Sequence, residues 1–183
     1  MIYKAEIQHN EKTVQNLYRT QYYAYEKMRI FIRFLIGLAM IIAAVSVSMP
    51  VWGKCILLLI GAWIVVSPDF PAQVRSDKVI QIRKGNFPHI KYEFYDDKMK
   101  ISDKKSENIL YKDLTKLIND KKYFYLFITK NSVCMIDKET FFNQDTENFV
   151  KFIENKTGMK FHTQKSVFAL NLQDLLNKYF SML

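Results

Sequence analysis

The octapeptide SMPVWGKC (48–55) separates two runs that contain almost nothing polar, FLIGLAMIIAAVSVSM (34–49) and CILLLIGAWIVVSPDF (55–70). If it were the bend of a hairpin inside a soluble core, the flanking runs would carry apolar stripes with polar positions opposite. They are apolar all the way round. A helix needs about 20 largely apolar residues to cross a hydrocarbon layer roughly 30 Å thick, with a usual range of about 17–25. Extending the first run back through residues 30–32 reaches that range and includes one charge, Arg33, near the end, where its stem can lie along lipid while its head meets the interface. The second run, 51–70, has Lys54 near its start and Asp69 near its end. Trp52 and Lys54 stand at the bend as interfacial anchors, Pro68 closes the far end, and Pro50 with Gly53 is expected to break the helix. The sequence predicts a two-helix transmembrane hairpin over 30–70, with Gly37, Ala43, Ala44, Ser46, Gly61 and Ala62 allowing close helix approach.

The flanks predict its orientation. Arg19, Lys27, Arg29 and Arg33 precede the first span, Arg75, Lys78, Arg83 and Lys84 follow the second, and the bend has only Lys54. Basic residues near spans stay on the cytoplasmic side. The expectation is a multi-pass protein of the cytoplasmic (inner) membrane with both termini cytoplasmic, the bilayer separating Cys55 from Cys134. MIYKAEIQHNEK at the start lacks the parts of a cleavable signal peptide.

The chain has 183 residues and a net charge of +9, from 27 Lys and Arg against 18 Asp and Glu. Its basic residues are dispersed as KKY, RKG, DKMK and DKK with acids between them, which argues against a nucleic-acid arm. Two distant cysteines do not suggest a metal site or a disulfide framework.

Residues 1–29 read as an N-terminal strand and an amphipathic helix. MIYKAEIQ suggests an edge strand, Asn10 a helix cap, and Val14, Leu17, Tyr18, Tyr22, Tyr25 and Met28 a single helical face. No breaker precedes the first span, so one helix is expected from about residue 11 to 49. Its stripe is read as packing on the downstream domain; Tyr18, Tyr22, Tyr23 and Tyr25 also suit an interfacial belt or partner surface. Residues 71–89 read as a linker.

From residue 90 the period becomes that of strands. Ile90, Tyr92 and Phe94 lead through a turn at Asp96 and Asp97 to Met99 and Ile101, and further strands are predicted over 108–111, 114–118, 123–129 and 133–136. YFYLFIT (123–129) is apolar on both faces and needs cover on both, assigned to a helix capped by Asp145, striped with Phe149, Phe152 and Ile153, and stopped at Gly158. The apolar hairpin, FYDD (94–97), YKDL (111–114), YFYLFI (123–128) and the turn at Lys138 leading to Phe141 resemble the YcxB-like family of bacterial membrane proteins, with Asp137 in place of the family's usual proline. The resemblance covers about 30–157. It implies a pleckstrin-homology-like cytoplasmic domain, here 90–158, and no established activity. The predicted fold class is therefore an α+β membrane protein: the transmembrane hairpin plus an antiparallel pleckstrin-homology-like sheet or barrel capped by a C-terminal helix. Residues 159–183 read as a C-terminal strand and amphipathic helix that docks on its own domain, lies on the membrane or mediates dimers.

His9, His89 and His162 lack metal-ligand spacing, and the phosphate-loop, dinucleotide, zinc-protease and nucleophile-elbow motifs are absent. Asp96, Asp97 and Asp113 are the weak basis for a third reading, a hydrolase. No catalytic, metal or cofactor residue is assigned. The surface proposed for anionic lipid or a partner is Lys98, Lys100, Lys104 and Lys105, diluted by Asp96, Asp97 and Asp103 and otherwise an ordinary solvated hairpin tip. The expected function is a non-catalytic, membrane-anchored binding or sensing module; the alternative is an immunity protein against a toxin acting at the membrane. The expected partners are the lipid bilayer and a protein, with self-association open and nucleic acid not expected.

Overall fold

The computed structural model describes residues 2–103, 106–141 and 145–163. In chain order the elements are β1 (Tyr3–Gln8), α1 (Glu11–Tyr25), α2 (Lys27–Ser46), α3 (Val51–Val66), α4 (Phe70–Arg83), β2 (His89–Phe94), β3 (Lys98–Ser102), β4 (Ser106–Leu110), β5 (Lys116–Asn119), β6 (Tyr123–Phe127), β7 (Val133–Asp137), α5 (Thr146–Thr157) and β8 (His162–Thr163). The α+β class holds.

Two four-stranded sheets, ordered β1-β2-β3-β4 and β7-β6-β5-β8, replace the barrel among the alternatives, and no closed barrel forms among the described residues. All pairings are antiparallel except β5 with β8. The N-terminal strand pairs along its whole length with β2, from Tyr3 opposite Phe94 to Gln8 opposite His89, so the four helices α1–α4 are inserted between two neighbouring strands of one sheet. Strand β1 is an edge in the ladder, and Thr140 covers it: its Oγ1 donates to the Glu6 carbonyl at 2.6 Å and accepts from the Glu6 N–H at 3.1 Å. Unpaired strand edges otherwise invite pairing with other chains.

Alternation along the strands sends Ala5, Ile7, Tyr92, Phe94 and Met99 inward to meet Phe124, Leu126 and Ile136. Helix α5 closes this core with Phe149, whose ring meets Tyr3, Phe94, Phe124 and Phe141 at centroid distances of 4.6–5.4 Å. Local signals set its ends: Asp145 accepts from the Asn148 N–H, and Gly158 adopts φ 68°, a left-handed stop that glycine makes without Cβ strain. All five β6 residues are buried, but α5 covers only one face. The other lies under α1, with the Tyr25 ring 5.3 Å from that of Phe127.

The long continuous helix expected before the membrane is broken at Glu26, whose φ of −114° and ψ of 30° end α1 and begin α2. The bend between α2 and α3 is confined to 47–50: Pro50 caps α3, while Gly53 lies within α3 and breaks nothing. The expected linker over 71–89 is mostly helix α4, bent by 71° from α3. Among the described residues, α2 alone is long and apolar enough to cross a membrane by length and composition; α3 and α4 pass only as that bent pair. Bulky side chains of α2 and α3 point outward, and the buried positions are Gly37, Ala44 and Gly61. A Cβ on Gly37 would lie 2.8 Å from Val65 Cγ2 and 3.0 Å from the Gly61 carbonyl oxygen. The two backbones therefore meet at a seam that only small residues fit.

Candidate functional site

Glu26 is the acid in the otherwise basic stretch between Tyr25 and Phe34. Because it leaves the helical conformation, its carboxylate projects into the corner where α1, α2, α4 and the β6–β7 turn meet. Its side chain is only 4% exposed. Arg29 Nη1 lies 2.7 Å from Oε2, Arg75 Nη1 2.6 Å from Oε1 and Arg75 Nη2 3.4 Å from Oε2, with Lys130 Nζ 3.6 Å from Oε1. The hydrogen bond from Arg75 holds the Glu26 carboxyl below the usual carboxylate range, against desolvation, with further help from the Arg75, Arg29 and Lys130 charges. One carboxylate thus links the break between two helices to α4 and to the sheet domain.

Other contacts fix the same corner. Gln21 Nε2 donates to the Lys130 carbonyl at 2.5 Å, Lys116 Nζ donates to the Ala24 carbonyl at 2.6 Å and sits 4.8 Å over the Tyr25 ring, and Arg19 pairs with Asp69 at 3.3 Å. Tyr22 is 1% exposed, and neither its hydroxyl nor Arg33 Nε has a hydrogen-bond partner. Burial raises the Tyr22 phenol's pKa, and the charges of Arg33, Glu26, Arg29 and Arg75 act on it. Three cations, Arg29, Arg75 and Lys130, meet the Glu26 carboxylate, and the corner also contains buried polar atoms without a partner.

A second concavity, about 490 Å³, opens along α1 over β6 and is lined by Lys12, Arg19, Tyr23, Asp120, Lys122 and Tyr125 among others. Asp120 shapes its floor, accepting from the Lys122 and Tyr123 N–H groups at 2.8 and 2.6 Å and from the Tyr125 hydroxyl at 2.9 Å. The Lys138 ammonium donates to the Asp120 carbonyl and lies 4.7 Å over the Phe124 ring, so the lysine of the YcxB-like turn is a structural clamp between β5, β6 and β7.

The lysine surface expected from sequence is not a hairpin tip as far as it is described. Lys98 and Lys100 lie within β3, half-buried, and Lys100 stands opposite Glu93; Lys104 and Lys105 lie outside the described residues. Arg33 is in α2, and Trp52 and Lys54 fall in the first turn of α3 at the opposite end of the hairpin. The aspartates do not assemble: Asp96 pairs with Lys156 at 2.6 Å, and Asp113 is exposed in the turn after β4. His9 contacts the Thr13 hydroxyl, His89 pairs with Glu6, and no group of three or more His, Cys, Asp or Glu among the described residues is placed to hold a metal ion. The predicted C-terminal helix lies outside the described residues.

Sequence reasoning missed Glu26, Arg75 and Lys130. A lone acid beside a run of arginines at the mouth of an apolar segment was the available signal.

Comparison with protein-family models matches residues 94–154 to the YcxB-like protein family. The match spans β3 to most of α5 and includes FYDD, YKDL and YFYLFI, so the chain is similar to that family over about a third of its length. Comparisons with curated proteins and with solved structures give no match.

Proposed function

We propose that the protein is a membrane-anchored, non-catalytic binding or sensing module: a pleckstrin-homology-like cytoplasmic domain on a two-span hairpin, with both termini on the cytoplasmic side. The single observation that carries this reading is the pairing of β1 with β2 across the inserted helices. Strands that share six consecutive pairs lie on one side of a bilayer, so the chain between them crosses it an even number of times. Zero crossings would leave the outward-facing Phe31, Ile32, Val45, Leu59 and Trp63 in water. Two crossings give them lipid.

The second crossing is short, since α3 alone is about 24 Å long at 1.5 Å per residue. Local thinning of the bilayer and flanking residues reaching the interface accommodate such a span at modest cost. The basic residues at the Glu26 corner lie at the end of the hairpin next to the sheets, as cytoplasmic retention of positive charge requires. Two sheets with a closing helix support the pleckstrin-homology-like assignment. The concavity along α1 and the cationic corner are the surfaces such a module offers to a ligand.

The topology is tested with cysteine reporters in intact cells and a membrane-impermeant maleimide. In a Cys55→Ala background, Ser48→Cys in the bend should label from outside, and Asn131→Cys in the β6–β7 turn only after permeabilisation. Cys134 stays silent, because burial pushes its thiol up to about 12. If Ser48→Cys also required permeabilisation, the two-span hairpin would have to be given up.

A further inference from the structure

We infer that the corner formed by Tyr22, Arg29, Arg33 and Arg75 binds the phosphate of an anionic phospholipid from the adjacent leaflet. This rests on the hairpin reading and deepens it by naming a ligand class. Arg29 and Arg33 are four residues apart on α2 and so share one face of the helix, at the start of its apolar run. Lipid phosphates lie at that depth. Arg75 comes from α4 and Lys130 from the β6–β7 turn, so three cations, Arg29, Arg75 and Lys130, surround the Glu26 carboxylate, and the Arg33 charge acts on the neighbouring Tyr22.

A surplus of positive charge alone describes any solvated surface. The buried atoms distinguish this corner: the Tyr22 hydroxyl and Arg33 Nε are both donors, both sealed from water, and both unpaired. A buried polar group left unsatisfied costs about 1–3 kcal/mol. A phosphate oxygen is an acceptor with several lone pairs, and guanidinium groups are the side chains whose planar donors match phosphate. Ile32 and Ile36, both half-exposed, stand three residues after Arg29 and Arg33 on the same helix, where acyl chains would run. This apolar flank favours a lipid over a free phosphate. The Lys98 and Lys100 face of β3 lacks these features, since Glu93 stands opposite Lys100 and, among the described residues, no buried unpaired donor lies on it.

The test uses the full chain in mild detergent, titrated with dioleoylphosphatidylglycerol or dioleoylphosphatidylcholine and read by native mass spectrometry. Phosphatidylglycerol should bind at least about fivefold more tightly, and each of Arg29→Gln and Arg33→Gln should weaken it about fivefold, the equivalent of about 1 kcal/mol per cation near the surface. Lys98→Ala with Lys100→Ala should leave it unchanged. Tyr22→Phe keeps the ring and removes the hydroxyl: it should weaken phosphatidylglycerol binding yet leave the lipid-free melting temperature unchanged or higher. Equal binding of the two lipids, or variants at the corner that bind like the parent, would overturn the site. Displacement of phosphatidylglycerol by equimolar inorganic phosphate would replace the lipid with a soluble anion and overturn the assignment of source. Should the cysteine labelling hold while these results fail, the lipid site alone falls; should the labelling fail, the hairpin falls with it.

Discussion

The α2–α3 hairpin and the β-sandwich draw on the same aliphatic and aromatic side chains and place them in opposite directions. In the sandwich Phe94, Phe124, Leu126 and Phe149 are at most 1% exposed, and the polar residues face out. In the hairpin Leu59 is 72% exposed, and Gly37 and Gly61 are inside. The sandwich is held by apolar burial, which is worth about 25 cal/mol per Å² when the alternative is water. In the two-span reading proposed above, the hairpin gains nothing of that kind between its helices, because lipid tails are as apolar as its own side chains. Close backbone approach at Gly37 and Gly61 holds it instead.

Substitutions that respect one regime should therefore be silent in the other. The largest expected effect is at Phe149, which is fully buried among four aromatic neighbours. Phe149→Ala should destabilise the sandwich by about 3–5 kcal/mol, seen as a lowered denaturation midpoint in detergent. Leu59→Ala removes a similar apolar side chain from the hairpin's outer surface and should move that midpoint little. A comparable loss at Leu59 would mean that protein covers it, and the contrast between the two regions would disappear.

At the seam the expectation reverses, since adding atoms does the damage. Gly61→Val places a Cβ 2.9 Å from the Gly37 carbonyl oxygen and 2.9 Å from Ile41 Cγ1. Overpacking of this kind costs about 1–3 kcal/mol. The helices should separate, measurable as slower disulfide formation between cysteines introduced at Met40 and Ile64.

Glu26 sits where the two regimes meet. Its folded-state pKa lies below the unfolded value of 4.5, so its contribution to stability is full above that value and is lost as pH falls through the folded pKa. Glu26→Gln should lower stability at neutral pH by about 1–2 kcal/mol, the lower part of the range for charged hydrogen bonds, because Arg29 and Lys130 are open to water. The variant should also lose part of the parent's acid sensitivity below about pH 4.5, read as the difference between their midpoints at neutral and acid pH.

Legibility in the sequence followed the range of the interactions. Strand alternation from Ile90 to Ile136, the Asp145 cap and the Gly158 stop are local signals, and each lies in its expected element. Helix α4 was hidden because only small residues, Ala72 and Ser76, face inward, leaving no apolar stripe. The break at Glu26 was hidden for a different reason: Arg75, 49 residues away, is what satisfies the carboxylate there. The partner of the N-terminal strand lies beyond the inserted helices, and no pattern within six residues names it. The sequence shows Lys98, Lys100, Lys104 and Lys105 close together in the chain, but the pairing of Lys100 with Glu93 follows from the β2–β3 register, which that spacing does not carry.

The smallest expected effect tests how firmly α1 is seated between the regimes. Asn10 Oδ1 accepts from the Thr13 N–H at 3.0 Å, and Thr13 Oγ1 accepts from the Asn10 N–H at 2.8 Å, a reciprocal cap at the step from β1 into α1. Removing such a cap typically costs about 1 kcal/mol. Asn10→Ala should therefore lower the melting temperature by about 2–4 °C, the usual response of a chain of this size. Thr13→Ala should do at least as much, since its hydroxyl also meets His9 Nδ1 at 3.1 Å. If both variants melt with the parent, the start of α1 is fixed by Val14, Tyr22 and Tyr25 on the domain rather than by its cap, and the helix belongs energetically to the sandwich.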